Sequence, residues 1–211
     1  MTENRSEMSA WSRFVCMATG WGAIGVVYTI SGQRGAEAAH RLTPTAVDLW
    51  FDFNPAAIWI YMSFFLFVPL GFFCTPPARV RWLRLVMFIS ALCAAVIFAI
   101  FPTTMMFPPV TQNGISAEAL KLLMRYDAVV NCLPSLHVTL TCLTLFALWQ
   151  TGRHWRNLLL TGWALAIATS ILPLYRHQFV DFLAGLALAL FACFMAALLK
   201  RSGLVLSEKL Q

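Results

Sequence analysis

The 211-residue chain is 60% hydrophobic and 11% charged, with a mean hydropathy of +0.72 and a net charge of +6. Soluble domains average roughly 45–50% apolar and about 25% charged residues, so the composition excludes a water-soluble globule and a disordered tail. The 15 Lys+Arg are spread thinly through apolar sequence, which excludes a nucleic-acid binder as well and leaves an integral membrane protein.

A crossing helix takes about 20 apolar residues, so five or six of them fill the chain as one domain, 1–211. Apolar runs stand at 14–30, 56–73, 83–101, 133–150, 155–175 and 178–199. They predict an all-α fold, a bundle of six transmembrane helices.

In the first run, Ala36-Glu37-Ala38 loosely resembles a small-residue cleavage site. The apolar core is longer than the roughly 7–15 residues of a signal peptide, and the run is read as an uncleaved helix. The loop that follows, 31–55, holds Asp48, Trp50, Phe51, Asp52 and Phe53 and suits a segment lying at headgroup depth. The second run has no charged side chain, and the third has only Arg84, at its start.

Between the third and fourth runs come Pro102, Pro108 and Pro109, then a turn at Asn113-Gly114. With Ser116 as N-cap, residues 117–130 read as a short helix carrying Glu118, Lys121, Arg125 and Asp127. The last three runs carry titratable groups near their ends, among them His137, Arg156 and Asp181. Such groups are costly in lipid and point to function. The connection at Arg176 and His177 makes the last two runs an antiparallel hairpin. Four of the six cysteines lie in apolar runs, as small hydrophobes, and their spacing matches no zinc pattern.

Six crossings put ten Lys and Arg on the side of the termini: Arg5, Arg13, Arg79, Arg81, Arg84, Arg153, Arg156, Lys200, Arg201 and Lys209. Five, namely Arg34, Arg41, Lys121, Arg125 and Arg176, fall on the other. The expected location is a bacterial inner membrane with cytoplasmic termini. The first, third and fifth loops then face the periplasm or exterior.

Two motifs carry chemistry. In Asn131-Cys132-Leu133-Pro134-Ser135-Leu136-His137-Val138, a proline in a first helical turn gives up an N–H that lacks a partner anyway. The other first-turn N–H groups favour an anion, beside the Ser135 hydroxyl and the titratable His137. In His177-Gln178-Phe179-Val180-Asp181, a spacing of four puts both side chains on one helical face. The carboxylate can then take a proton from one ring nitrogen and leave the other as a nucleophile, with Arg176 beside it. Taken singly, the first motif is equally a helix start and the second a self-satisfied buried pair. Parity brings both to the same membrane face, where their groups suit phosphoryl transfer to or from a lipid.

Pro134-Ser135-Leu136-His137 and His177-x-x-x-Asp181 resemble the second and third signature motifs of the type 2 phosphatidic acid phosphatase (PAP2) superfamily. Asp127, Asn131 and Phe101-Pro102-Thr103 are similar to the branch containing inositol-phosphorylceramide synthases and their bacterial relatives. The resemblance implies six helices and metal-independent catalysis through a phosphohistidine, without a cofactor. The substrate it implies is a phospholipid or an isoprenoid phosphate or diphosphate. By position, His177 would be the nucleophile, Asp181 its orienting partner, His137 the acid for the leaving group and Ser135 a phosphate ligand. The first motif, a lysine six residues ahead of Arg-Pro, is absent, and the arginine expected six residues before the nucleophile falls on Ile171. Arg176, Arg125 and Lys121 are the candidates to supply that charge. Water as acceptor makes a phosphatase, an alcohol a headgroup transferase. Two other readings remain: His137, His177 and Asp181 as metal ligands, and a non-catalytic carrier that keeps the fold.

Overall fold

The structure, a computed structural model, describes residues 8–33, 35, 37 and 39–202. Helix α1 (Ala10–Gly32) begins where the Ser9 hydroxyl accepts the Ser12 N–H at 3.1 Å, one of the orphan donors of a helix start. Asn54 caps the next segment in the same way, with Pro55 in its first turn. That segment continues as α2 (Ile58–Met62) and, after an interruption at Ser63, as α3 (Phe64–Phe73). Ser63 Oγ turns back to donate to Ile60 O at 2.6 Å and accepts Trp163 Nε1 at 2.9 Å. Helix α4 (Pro77–Ile100) opens on a proline, where no N–H is missed. Helices α5 (Ile115–Tyr126), α6 (Leu136–Leu148), α7 (His154–Ser170) and α8 (Phe179–Arg201) complete the helical part.

Helix α6 lies at the centre, packed against α3, α4, α7 and α8, while α1 lies along α4. Ten of its 13 residues are buried, and no stripe of it faces outward as in a surface helix. Around it pack Phe67, Phe72, Leu83, Met87 and Phe98, all fully enclosed. The C-terminal carbonyls of α3 and α6 are closed by arginines. Arg13 Nη1 donates to Phe72 O and Thr75 O at 2.8 and 2.7 Å. Arg156 Nη1 donates to Leu148 O at 2.6 Å, and Arg79 Nη1 to Ala147 O at 3.0 Å and to Trp149 O. Cations suit these ends, where the helix dipole is negative, and they leave the start of α6 at the opposite end of the bundle.

The architecture is mostly helical, as composition requires. Among the described residues, four helical segments are long and apolar enough to cross a membrane: Ala10–Gly32, Pro55–Phe73, Pro77–Ile100 and Phe179–Arg201. The fourth and fifth apolar runs form shorter helices, of 13 and 17 residues. The apolar runs continue into non-helical backbone, Leu133 to Ser135 before α6 and Ile171 to Leu174 after α7. Irregular backbone at such depth is tolerated when it is buried in protein, and Ile171, Leu172 and Leu174 are buried. Hydropathy reads that burial as helix length. The last two helices also do not make a packed hairpin: α7 rests on α6 and α2, and α8 on α6 and α4.

Helix α5 starts at Ile115 and ends at Tyr126 rather than running over 117–130. Gly114, at φ 113°, occupies the cap position, and Ser116, expected there, lies inside the helix as acceptor for Trp59 Nε1 at 3.0 Å. A two-residue parallel bridge, β1 (His40–Arg41) against β2 (Thr103–Thr104), was not legible in the apolar pattern. It ties the first long loop to the residues after α4. Arg5, Arg34 and Lys209 of the charge count, and Ala36 and Ala38 of the cleavage-like triplet, lie outside the described residues.

Candidate active site

The start of α8 fixes the first half of the site. Asp181, third residue of the helix, reaches back so that its Oδ2 accepts the Gln178 N–H at 2.9 Å. The next donor, Phe179 N–H, goes to Asp48 Oδ1 at 2.6 Å, and Asp48 Oδ2 is held by the N–H and hydroxyl of Thr45, both at 2.7 Å. His177 stands outside the helix, so the expected one-face pairing over four helical residues is not what joins it to Asp181. A turn does this instead. Tyr175 takes a left-handed φ of 49°, held by its hydroxyl donating to Phe51 O at 2.8 Å, and Arg176 N–H donates to Ile171 O at 3.1 Å. His177 Nδ1 comes to 3.3 Å from Asp181 Oδ2.

Asp181 is fully enclosed, and its Oδ1 has no hydrogen-bond partner among the described residues. An unpaired oxygen on a buried carboxylate is costly. The cap and the imidazole both use the same oxygen, so the charge is directed at His177. With Nδ1 facing the carboxylate, the ring's Nε2 is left for chemistry.

The start of α6 supplies the second half. Pro134 precedes the helix instead of lying in its first turn, because Ser135 is the N-cap and accepts the Val138 N–H at 3.4 Å. Its hydroxyl proton is still available to donate. The two helix starts are joined directly by Ser135 N–H donating to Asp181 O at 3.1 Å. One turn on, Thr139 Oγ1 donates to Gly185 O at 2.9 Å. Gly185 permits this approach, since a Cβ there would lie 2.4 Å from Ser135 O. In Gly185→Ala the backbone carbonyl has to move, and overpacking of this kind costs about 1–3 kcal/mol. Thermal unfolding in detergent is expected to show that loss together with reduced activity, since Ser135 and His137 move with the carbonyl.

His137 is sandwiched between aromatic rings, with its centroid 4.1 Å from Tyr61 and 4.2 Å from Phe64. Its Nε2 is buried and has no hydrogen-bond partner among the described residues. Two imidazoles thus sit at one end of the bundle, each with Nε2 unused by the fold.

Arg176 is 5% exposed and gives Nε and Nη2 to Asp127 Oδ2 at 3.1 and 2.6 Å. Its guanidinium lies 4.5 Å over the Phe107 ring. The other candidate cations stand elsewhere on the surface of α5: Lys121 pairs with Glu118 at 2.8 Å, and Arg125 is exposed. Neither has a described bond to the His177–Asp181 pair.

A cavity of about 220 Å³ opens at His177, bounded by Leu49, Met105, Met106, Pro108 and Leu172. Nothing local in the sequence distinguishes Met105, Met106 or Asp48 as residues of this cavity. The nearest signal was that both long loops fall on the side of the two histidines. Cys132 is no rival nucleophile: burial first, and then the Asp181 carboxylate, push its thiol up to about 12. Among the described residues, no group of three or more His, Cys, Asp or Glu is placed to hold a metal ion.

A family model described as the PAP2 superfamily matches residues 51–195, a stretch that contains both motifs and every helix from α2 to most of α8. No curated protein and no solved structure matches the chain.

Proposed function

The chain belongs to the PAP2 superfamily, a family of phosphatase type, and on that premise we propose that it is a membrane lipid phosphatase or phosphotransferase working through a phosphohistidine. The observation that carries the reading is His177, backed by the buried Asp181, lining a largely apolar cavity. A soluble phosphate ester has no use for such a wall, whereas the hydrocarbon of a phospholipid or an isoprenoid phosphate is matched by it.

His177 Nε2 attacks the phosphorus, an N–P bond forms and the bond from phosphorus to the lipid oxygen breaks. Asp181 accepts a hydrogen bond from Nδ1–H and offsets the positive charge that develops on the ring. His137, which takes up a proton at Nε2 when the phosphate anion lies beside it, gives that proton to the leaving oxygen, releasing the alcohol. His137 then takes a proton from water as that water attacks phosphorus, the N–P bond breaks and phosphate departs. Ser135 and Arg176 donate to the phosphoryl oxygens. No step calls for a metal or a cofactor.

The same reading has six crossings. Helix α6 rises only about 20 Å at 1.5 Å per residue, but it is sheathed by protein and Pro134 and Ser135 before it are buried, so it need not span the bilayer as regular helix. Arg13, Arg79 and Arg156 at the end remote from the histidines support cytoplasmic termini and a site facing the periplasm or exterior of a bacterial inner membrane. The headgroup-transferase alternative, with its likeness to inositol-phosphorylceramide synthases, differs in its donor and its acceptor. A phosphodiester substrate is then attacked at the same phosphorus, and a lipid alcohol replaces water in the second step.

The test is phosphate release by detergent-purified protein from a panel of lipid phosphates with EDTA present. Release that persists in EDTA is the expected result, and its ranking identifies the substrate. Release that stops in chelator returns the reading to a metal site. No release, with none of the headgroup moved to an added alcohol-bearing lipid, returns it to a carrier.

A further inference from the structure

Helix α1 lies outside the residues that the family model matches, yet Tyr28 on it donates its hydroxyl to Asp127 Oδ1. Asp127 Oδ2 takes two nitrogens of Arg176, the residue next to His177. The end of α1 is fastened to the same segment a second time, because Asn131 Nδ2 donates to Tyr28 O at 3.3 Å and to Ser31 Oγ at 3.2 Å. Both members of the ion pair are nearly enclosed, 5% exposed for Arg176 and 13% for Asp127. A pair this deep recovers little stability over its desolvation, so its retention points to what it orients. The guanidinium is a rigid fork. Asp127 holds its Nε edge and Phe107 one face, and Nη1 takes no part in either bond to Asp127.

We infer that Asp127, clamped by Tyr28, is a positioning residue that aims Arg176 at the phosphoryl group carried by His177, which makes α1 a working part of the site. The inference rests on the phosphoryl-transfer reading above. A cation at a phosphoryl group acts through placement, and an error of about 1 Å there costs up to about a hundredfold.

The probe is inorganic vanadate, which adopts the five-coordinate geometry of a phosphoryl group in transfer, with its affinity read from the thermal stabilisation of the full chain in detergent. Arg176→Ala and Asp127→Asn are each expected to weaken vanadate about ten- to a hundredfold, the size of a lost or misaimed charge-assisted hydrogen bond to an anion. Arg176→Ala/Asp127→Asn is expected to bind no more weakly than Arg176→Ala, because Asp127 acts through that arginine. Tyr28→Phe removes one hydrogen bond and is expected to cost about two- to tenfold. It carries the test should Asp127→Asn not fold. A merely structural role would lower the melting temperature without vanadate and leave the affinity of the folded protein unchanged.

Wild-type vanadate affinity in folded Asp127→Asn or Tyr28→Phe overturns the inference. So do additive losses in the double variant, and so does a wild type that binds no vanadate. If the network governs vanadate but no lipid phosphate is cleaved, the positioning stands and the lipid reading falls. If lipid phosphate is cleaved with kcat and KM unchanged in Asp127→Asn, the lipid reading stands and the positioning falls.

Discussion

His177→Ala is expected to reduce phosphate release from lipid phosphates at least about a thousandfold, since losing a covalent nucleophile removes the whole two-step route rather than one contribution to it. The fold is expected to survive the change. His177 stands before α8, and the cap that starts the helix, from Gln178 N–H to Asp181, does not involve its ring. Detergent elution should therefore match wild type, with a lower melting temperature from the partner that the buried Asp181 loses, while turnover disappears. Asp181→Asn makes the complementary case. The amide oxygen can still face Nδ1, but it cannot offset the charge that develops on the ring, and a loss of about 10²–10⁴ follows from the same logic as in other carboxylate–histidine pairs. Substantial phosphate release by folded His177→Ala would remove the phosphohistidine and, with it, the reason for the buried Asp181.

What could be read in the sequence was the mostly helical membrane fold, the family and two motifs that the fold brings to one end of the bundle. What could not was the local geometry that joins them. His137, Ser135, His177 and Asp181 carried recognisable spacing, and the structure joins their two segments through the Ser135–Asp181 backbone bond. The spacing nevertheless suggested a helical face, whereas the actual device is a helix start with its histidine outside, held by a left-handed Tyr175. Periodicity counts residues and cannot tell a helix position from the position before the cap. The lengths of α6 and α7 were misread for a related reason: hydropathy measures burial, and buried turns such as Ile171 to Leu174 are as apolar as helix. Asp48 and Asp127 were visible as acids in the two long loops. Their partners, Phe179 N–H and Arg176, are more than a hundred and about fifty residues away, and only folding brings them together. Lys121 and Arg125 show the converse, for basic residues close in sequence to the first motif can still be spent on the face of an exposed amphipathic helix.

His137→Phe separates the two steps of the reaction. Phenylalanine keeps the stack with Tyr61 and Phe64, and it introduces no buried polar atom in place of the imidazole. With a lipid phosphate the leaving group is an alkoxide that needs a proton, so removing the acid is expected to lower turnover about 10²–10⁴-fold. A 4-nitrophenyl phosphate departs as a stabilised phenolate without that proton, and its first step is expected to be nearly unaffected. The second step still needs a base to activate water, and His137 is that base too. The variant should then release one nitrophenolate per active site in a burst, followed by slow turnover, and the protein should accumulate a phosphoryl group that is labile to acid and stable to base, as a phosphoramidate is. Adding His177→Ala should remove both the burst and the label. Equal losses for both substrates with no burst would take His137 out of proton transfer. Its stacked, partnerless imidazole would then be a packing residue, and the acid would have to be sought among the groups that face the cavity at His177.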